Sequence, residues 1–215
     1  MKLKNSKDGF GYDLDKALKE GNIFERVFHS YRIFPWLNRV DYSGKKVLDV
    51  GCNTGILLIP LLEKGVDITG VDISRSDIAK AKKKLREKNL PIERAVVAAA
   101  KKLPFDSNTF DMIILSDILE HVSQPDLVAK EALRVVKPKG SILATVPNET
   151  HPVVKFTWLR KALTGRKNVD EYPDIPYNLE KLVKLFPGVE IVKCKLAGLW
   201  VQLFCVFKKT SKQSR

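Results

Sequence analysis

The chain has 215 residues, 44% hydrophobic and 29% charged, with a formal net charge of +13. That length suits one domain with a sizeable core, and the composition excludes a disordered chain. No apolar run approaches the ~20 residues that cross a bilayer, and the amino-terminal residues lack the apolar stretch of a secretory signal. Cys52, Cys194 and Cys205 show no CxxC spacing. Neither a disulfide framework nor a zinc site is indicated, so no metal is expected and a cytoplasmic location is the default.

Residues 14–40 place Leu14, Ala17, Leu18, Ile23, Phe24, Val27, Phe28 and Tyr31 at roughly helical spacing. The pattern predicts one or two helices, broken at Pro35, so residues 1–43 form a helical cap on the domain that follows. From residue 46 strands and helices alternate. Lys46–Val50 is a short apolar run ending at Gly51, hence a buried strand. A helix over Ile56–Leu62 leads to a second strand, Asp67–Asp72. The next helix is capped by Ser74, with Asp77 at capping-box spacing. Strands are predicted at Ile92–Ala98 and Phe110–Ser116. A helix over Ser123–Val136 has Ser123 and Asp126 as a second capping box and Pro125 in its tolerated first turn. Lys137-Pro138-Lys139-Gly140 stops it before a fifth strand, Ser141–Val146. After an insertion (147–177) come a helix over Asn178–Phe186, a Pro187-Gly188 turn, and strands at Val189–Leu196 and Leu199–Phe207 joined at Ala197-Gly198.

Alternating strands and helices imply right-handed crossovers, hence an α/β fold with a doubly wound, mostly parallel sheet. The last two strands lie too close for a helical crossover and must pair as an antiparallel hairpin. In such a sheet a ligand binds beyond the carboxyl ends of the strands, where strand order reverses. The loops after residues 50, 72, 98, 116 and 146 should therefore build the site.

The positive charge falls into blocks. Residues 1–7 and 208–215 carry seven basic residues and no acid, as solvated tails. Lys80–Lys88 holds six basic residues against Glu87, the solvent face of a helix. Residues 151–169 hold five basic residues and no acid, with Val154, Trp158 and Leu159 able to share one helical face. That pattern fits a lid packed on the core, or a surface touching an anionic membrane or RNA. Tyr172-Pro173-Asp174-Ile175-Pro176-Tyr177 reads as a rigid aromatic loop.

Chemistry concentrates in Val47-Leu48-Asp49-Val50-Gly51-Cys52-Asn53-Thr54-Gly55. Glycine permits positive φ and close approach of a ligand to backbone amides. Asp49 at the strand end would repel a pyrophosphate and attract a cationic amino group. The dinucleotide spacing GxGxxG fails, because positions 51, 53 and 56 are Gly, Asn and Ile. Asp72, at the end of the second strand, can accept both hydroxyls of a ribose.

Together with GVDIS (70–74), KKLPFDSNTFDMIILSDILEHV (101–122) and RVVKPKGSILATVPN (134–148), this run resembles class I S-adenosyl-L-methionine (SAM)-dependent methyltransferases, especially the ubiquinone/menaquinone-biosynthesis group. The resemblance implies a Rossmann-like seven-stranded sheet with an antiparallel C-terminal strand, a SAM-binding domain over 44–207 and a basic tail at 208–215. It implies SAM as cofactor and S-adenosyl-L-homocysteine (SAH) as product. It places the methionine part on Asp49, Gly51 and Gly55, with Cys52 and Asn53 in the same cofactor-binding turn, and the ribose on Asp72. Ile73 and Ala100 border the adenine, with Ala99 beside them in the cofactor site, and Ser116 and the following turn line the sulfonium. Two positions depart from the pattern: Asn53 stands where the family often has glycine, and Ala99 where it often has an acid for the adenine amino group.

Transfer from a sulfonium needs chiefly positioning and water exclusion. A base matters only if the acceptor must lose a proton, and His121 and His151 are the candidates, with Asp117 behind them, whereas Glu120 can anchor the loop by hydrogen bonding. Cys52 lies in the cofactor turn, which argues against a covalent cysteine mechanism. The Ser116-Asp117-Ile118-Leu119 turn lacks the Pro-Pro-aromatic sequence of enzymes that methylate base amino groups. A small-molecule or lipid/quinone-like acceptor is the leading expectation; RNA methylation and non-catalytic SAM binding are the alternatives.

Overall fold

The computed structural model describes residues 40–152, 177–197 and 202–211. The N-terminal cap, the basic amphipathic stretch within 153–176 and the joint after Ala197 lie outside them. The described elements are β1 (Lys46–Val50), α1 (Leu58–Glu63), β2 (Asp67–Asp72), α2 (Arg75–Glu87), β3 (Ala95–Val97) and β4 (Phe110–Ser116), then α3 (Pro125–Val135), β5 (Val136–Pro147), α4 (Leu179–Lys184), β6 (Val189–Ala197) and β7 (Gln202–Lys209).

The strands form one sheet in the order β3-β2-β1-β4-β5-β7-β6. Pairings among β1 to β5 are parallel, while β7 runs antiparallel to both β5 and β6. This is the doubly wound sheet expected. Successive residues of β1 serve opposite faces. Val47 packs with Leu58, Ile78 and Leu85 of α1 and α2, whereas Leu48 and Val50 pack with Val128, Ala132 and Leu182 of α3 and α4. A central parallel strand covered on both sides is apolar throughout for that reason. The chain leaves β1 toward β2 and β3, then returns to β4 on β1's other side. The crevice lies at that reversal, above the carboxyl ends of β1 and β4.

α2 shows how sequence sets orientation. The Ser74 side chain accepts the Asp77 N–H at 3.2 Å, capping the first turn as expected. Ile78, Ala81 and Leu85 recur on one face and are buried. Lys80, Lys83 and Arg86 lie on the exposed side, with ion pairs Lys80–Asp77 and Lys83–Glu87. The exposed Lys83–Glu87 pair contributes little stability.

Four readings need correction. The third strand is only Ala95–Val97, because Ile92–Arg94 form a 3-10 turn after Pro91. Helix α3 is capped at Gln124 without a side-chain hydrogen bond, because Pro125 takes its first position and leaves Ser123 outside the cap. The basic tail is not wholly solvated: β7 extends to Lys209, which is 6% exposed. Its ammonium donates to Asn108 Oδ1 (3.0 Å) and to the carbonyls of Leu133 (2.8 Å) and Val136 (3.0 Å). Finally, Cys194 and Cys205 face each other across β6 and β7 and form a disulfide. Their separation of 11 residues looks uninformative until hairpin register makes them direct neighbours.

Candidate functional site

β1 ends in a turn that glycine alone makes comfortably. Gly51 has φ +80°, and a Cβ there would stand 2.7 Å from Ile118 Cδ1. The N–H groups of Gly51 and Cys52 both donate to the Val71 carbonyl, at 2.8 and 3.0 Å, tying the turn to β2. Asn53 takes φ +48°, and its Oδ1 accepts the Thr54 N–H at 2.6 Å. Asparagine thus fills the left-handed position where the family often has glycine, using its side chain to support the turn. Gly55 (φ +86°) leads into α1. From α2, the Lys84 ammonium donates to the Thr54 carbonyl (3.3 Å) and hydroxyl (3.1 Å), a brace that the sequence reading missed.

Asp72 holds the two turns together. Its Oδ2 accepts the Asn53 N–H and its Oδ1 the Ser74 N–H, each at 2.9 Å. Burial raises its carboxyl above the ordinary range, while these backbone donors pull the other way. Both oxygens keep further lone pairs for a ligand's hydroxyls.

Asp49 is different. It sits in the centre of the sheet between Gly70 and Ile114, is 1% exposed, and its buried Oδ2 has no hydrogen-bond partner among the described residues. Burial, then the charge of Asp72, pushes its carboxyl from 3.8 up to about 7. The nearby Tyr42 hydroxyl is also buried without a hydrogen-bond partner among the described residues, and burial followed by the Asp49 charge raises it too. A buried carboxylate in this state is completed by a cation.

The other cofactor candidates gather around these two acids. Ile73 is 57% exposed just past β2, as an aromatic ring face would require. The Ala98 N–H donates to the Asp72 carbonyl at 2.9 Å, placing Ala99 and Ala100 beside the β2 end. Ser116 ends β4, its hydroxyl 3.2 Å from that of Thr145. The Cys52 side chain is buried in the core; a Cβ on Gly70 would stand 2.8 Å from its Sγ, so glycine in β2 makes room for it. Burial lifts its thiol well above the ordinary value.

The base candidates follow the neighbouring strands. His121 closes the 3-10 turn Leu119–His121 after β4, with Nε2 3.9 Å from Glu120 Oε1. His151 lies after β5, its N–H donating to the Asn148 carbonyl at 3.1 Å. The two sit on separate loops at the same edge. Tyr177, 3% exposed, spans these loops: its hydroxyl donates to the Leu119 carbonyl at 3.3 Å and its carbonyl accepts the Glu149 N–H at 2.9 Å. A cavity of about 460 Å³ opens beside them, lined in part by Leu179, Cys194, Leu196 and Leu203, with Asn148 and Thr150.

One polar pair escaped the sequence reading. Gln202, 1% exposed at the start of β7, donates through Nε2 to both carboxylate oxygens of Asp117, at 2.7 and 3.0 Å. Its signal was a lone amide inside the apolar run Leu199–Phe207.

Comparison with known proteins agrees with this arrangement. A family described as a methyltransferase domain matches residues 48–144. A ubiquinone biosynthesis O-methyltransferase of Pseudomonas fluorescens (strain Pf0-1) is 34% identical over 172 residues, covering 78% of this chain and 70% of that protein. Among solved structures, a protein of Pyrococcus horikoshii OT3 shares the fold with a TM-score of 0.69 at 23% identity, over 91% of this chain and 96% of that one. A SAM-dependent methyltransferase of Methanosarcina mazei gives 0.67 at 19% identity, over 83% and 98%.

Proposed function

This chain belongs to the class I SAM-dependent methyltransferases, and we propose from that premise that it methylates a hydroxyl group on a small, largely apolar acceptor of the quinone or lipid type. The observation that carries the cofactor half is the buried Asp49 oxygen without a partner, beneath a turn where a Cβ at Gly51 would collide. An ammonium group supplies the missing counter-charge, and Asp72 supplies acceptors for a ribose. When bound, SAM brings a methyl group already activated on a sulfonium.

The chain's own residues then bind and orient. Gly51, Asn53 and Gly55 keep backbone close to the methionine portion, Ile73 and Ala100 flank the base, and Ser116 faces the reacting centre. The adenine amino group finds no acid at Ala99, which leaves backbone carbonyls as its acceptors. An acceptor hydroxyl must lose its proton as its oxygen takes the methyl group. His121, at the carboxyl edge of β4, is the proposed recipient, with His151 as the second candidate. For the acceptor, support comes from the ubiquinone biosynthesis O-methyltransferase of Pseudomonas fluorescens that this chain resembles.

Calorimetric titration with SAH tests the cofactor half. Asp72→Ala is expected to weaken binding by about 100-fold, the loss of two hydrogen bonds to a charged group, and also to lower stability, because it strands the Asn53 and Ser74 N–H groups. Unchanged affinity would count against the ribose role. Labelled SAM offered with alkylphenols, quinols and RNA tests the acceptor half. Methyl incorporation into RNA alone, or SAH binding with no turnover of any acceptor, would overturn it.

A further inference from the structure

β7 begins with a buried amide whose hydrogen bonding is only half complete. Gln202 lies opposite Pro147 of β5 and Ala197 of β6. Its nitrogen is committed to the Asp117 carboxylate, so the amide cannot turn over, and Oε1 is left to find a donor elsewhere. That oxygen is buried and has no hydrogen-bond partner among the described residues. Asp117 is itself unusual: a non-glycine residue at φ +51°, anchored by its N–H to the Thr145 carbonyl at 3.1 Å. Strained backbone supported by buried hydrogen bonds concentrates at functional sites. The place is equally telling. Asp117 follows Ser116 at the end of β4, and the next residue, Ile118, packs on the Gly51 turn. The pair therefore stands one residue from the cofactor turn, on the side facing β5 and β7.

We propose that Asp117 and Gln202 form the recognition site for a hydroxyl donor on the methyl acceptor, with Gln202 Nε2 positioning the carboxylate and Gln202 Oε1 receiving the donor's hydrogen bond. This rests on the methyl-transfer reading above and names the residues that recognise the hydroxyl of its acceptor. A site with a buried acceptor atom rejects an analogue without the donor, because binding that analogue leaves the oxygen dry.

The test compares 4-hexylphenol with its methyl ether, 4-hexylanisole, on the full chain with and without saturating SAH. Wild type is expected to prefer the phenol by about fivefold to tenfold, the worth of one neutral hydrogen bond. Gln202→Leu should bring that ratio to about one while SAH affinity and ether affinity stay within about twofold. Asp117→Asn should do the same by another route, since its side-chain N–H can occupy Gln202 Oε1. It deletes no buried group, so it decides the matter if Gln202→Leu does not fold. A wild type without preference overturns the proposal, as do variants that keep the preference. So does an equal loss of SAH and phenol affinity, which would make the pair a structural latch. Failure of SAH to bind wild type would instead remove the cofactor reading, and the phenol ratio without SAH would still decide for or against the pair.

Discussion

Replacing Asp49 by asparagine keeps the side chain's shape and removes its charge. In the folded chain the Asp49 carboxyl is pushed up to about 7 by burial and by Asp72, against an ordinary 3.8. Among the described residues the titratable groups around it are Asp72, Tyr42 and Cys52, each itself raised, and none of them a cation. Below 3.8 the carboxyl is protonated in both folded and unfolded chains and has no effect on stability. Between 3.8 and about 7 only the folded chain keeps the proton, so rising pH removes stability by about 1.4 kcal/mol per unit. Above 7 the cumulative loss levels at about 4 kcal/mol. Ligand-free Asp49→Asn should therefore match wild type near pH 4 and exceed it at pH 8. Cofactor binding should run the opposite way. An ammonium group pairs only with the ionised carboxylate, about a tenth of molecules at pH 6 and nine tenths at pH 8, so SAH affinity should rise about tenfold between them. Calorimetry in two buffers of different protonation enthalpy counts the protons released: nearly one at pH 6, almost none at pH 8. In Asp49→Asn binding should be weak and flat with pH. Wild-type affinity that is flat from pH 6 to 8, or proton uptake on binding, would refute the pairing of Asp49 with the ammonium group.

Gly51→Ala should cost about 2 kcal/mol or more in thermal unfolding and weaken SAH binding, since the φ of +80° and the 2.7 Å approach to Ile118 both oppose a Cβ. Adding Ile118→Ala should recover the packing share alone; full recovery would show that the backbone conformation costs nothing. Reducing the Cys194–Cys205 disulfide, or replacing Cys205 by alanine, should lower stability by up to about 3 kcal/mol for a loop of this length. Equal melting temperatures with and without reductant would count against the bond. Lys209→Met strands the carbonyls of Leu133 and Val136 and should cost about 2–3 kcal/mol while SAH affinity holds. A neutral result would mean that water replaces the ammonium.

The parts of this fold legible in the sequence are those where one physical demand dominates. β1, β2 and β4 were bounded correctly because strands buried on both faces read as apolar runs cut by glycine or acid. Ser74 was legible because a cap acts within three residues. Ser123 misled, because Pro125 has its own claim on the first helical position and won. What stayed hidden depends on pairing between distant segments. The order that inserts β7 between β5 and β6 brings Gln202 to Asp117, 85 residues away, while Cys205 meets Cys194 only through the register of the β6–β7 hairpin. Periodicity carries no trace of either contact. Lys84 bracing Thr54 is a third case, since a helical lysine run looks the same whether or not one member turns inward.

The position of β7 also governs how the molecule can be made. Synthesis delivers β1 to β5 first, and each can dock on a neighbour already present. β5 then waits with its outer backbone groups unpaired, and β6 emerges with no strand to join, until residues 202–209 leave the ribosome and slot between them. During that interval the nascent chain carries a ready template for stray strands. The burden on chaperones should therefore fall on this late step, when β5 still lacks the strand that closes its outer edge.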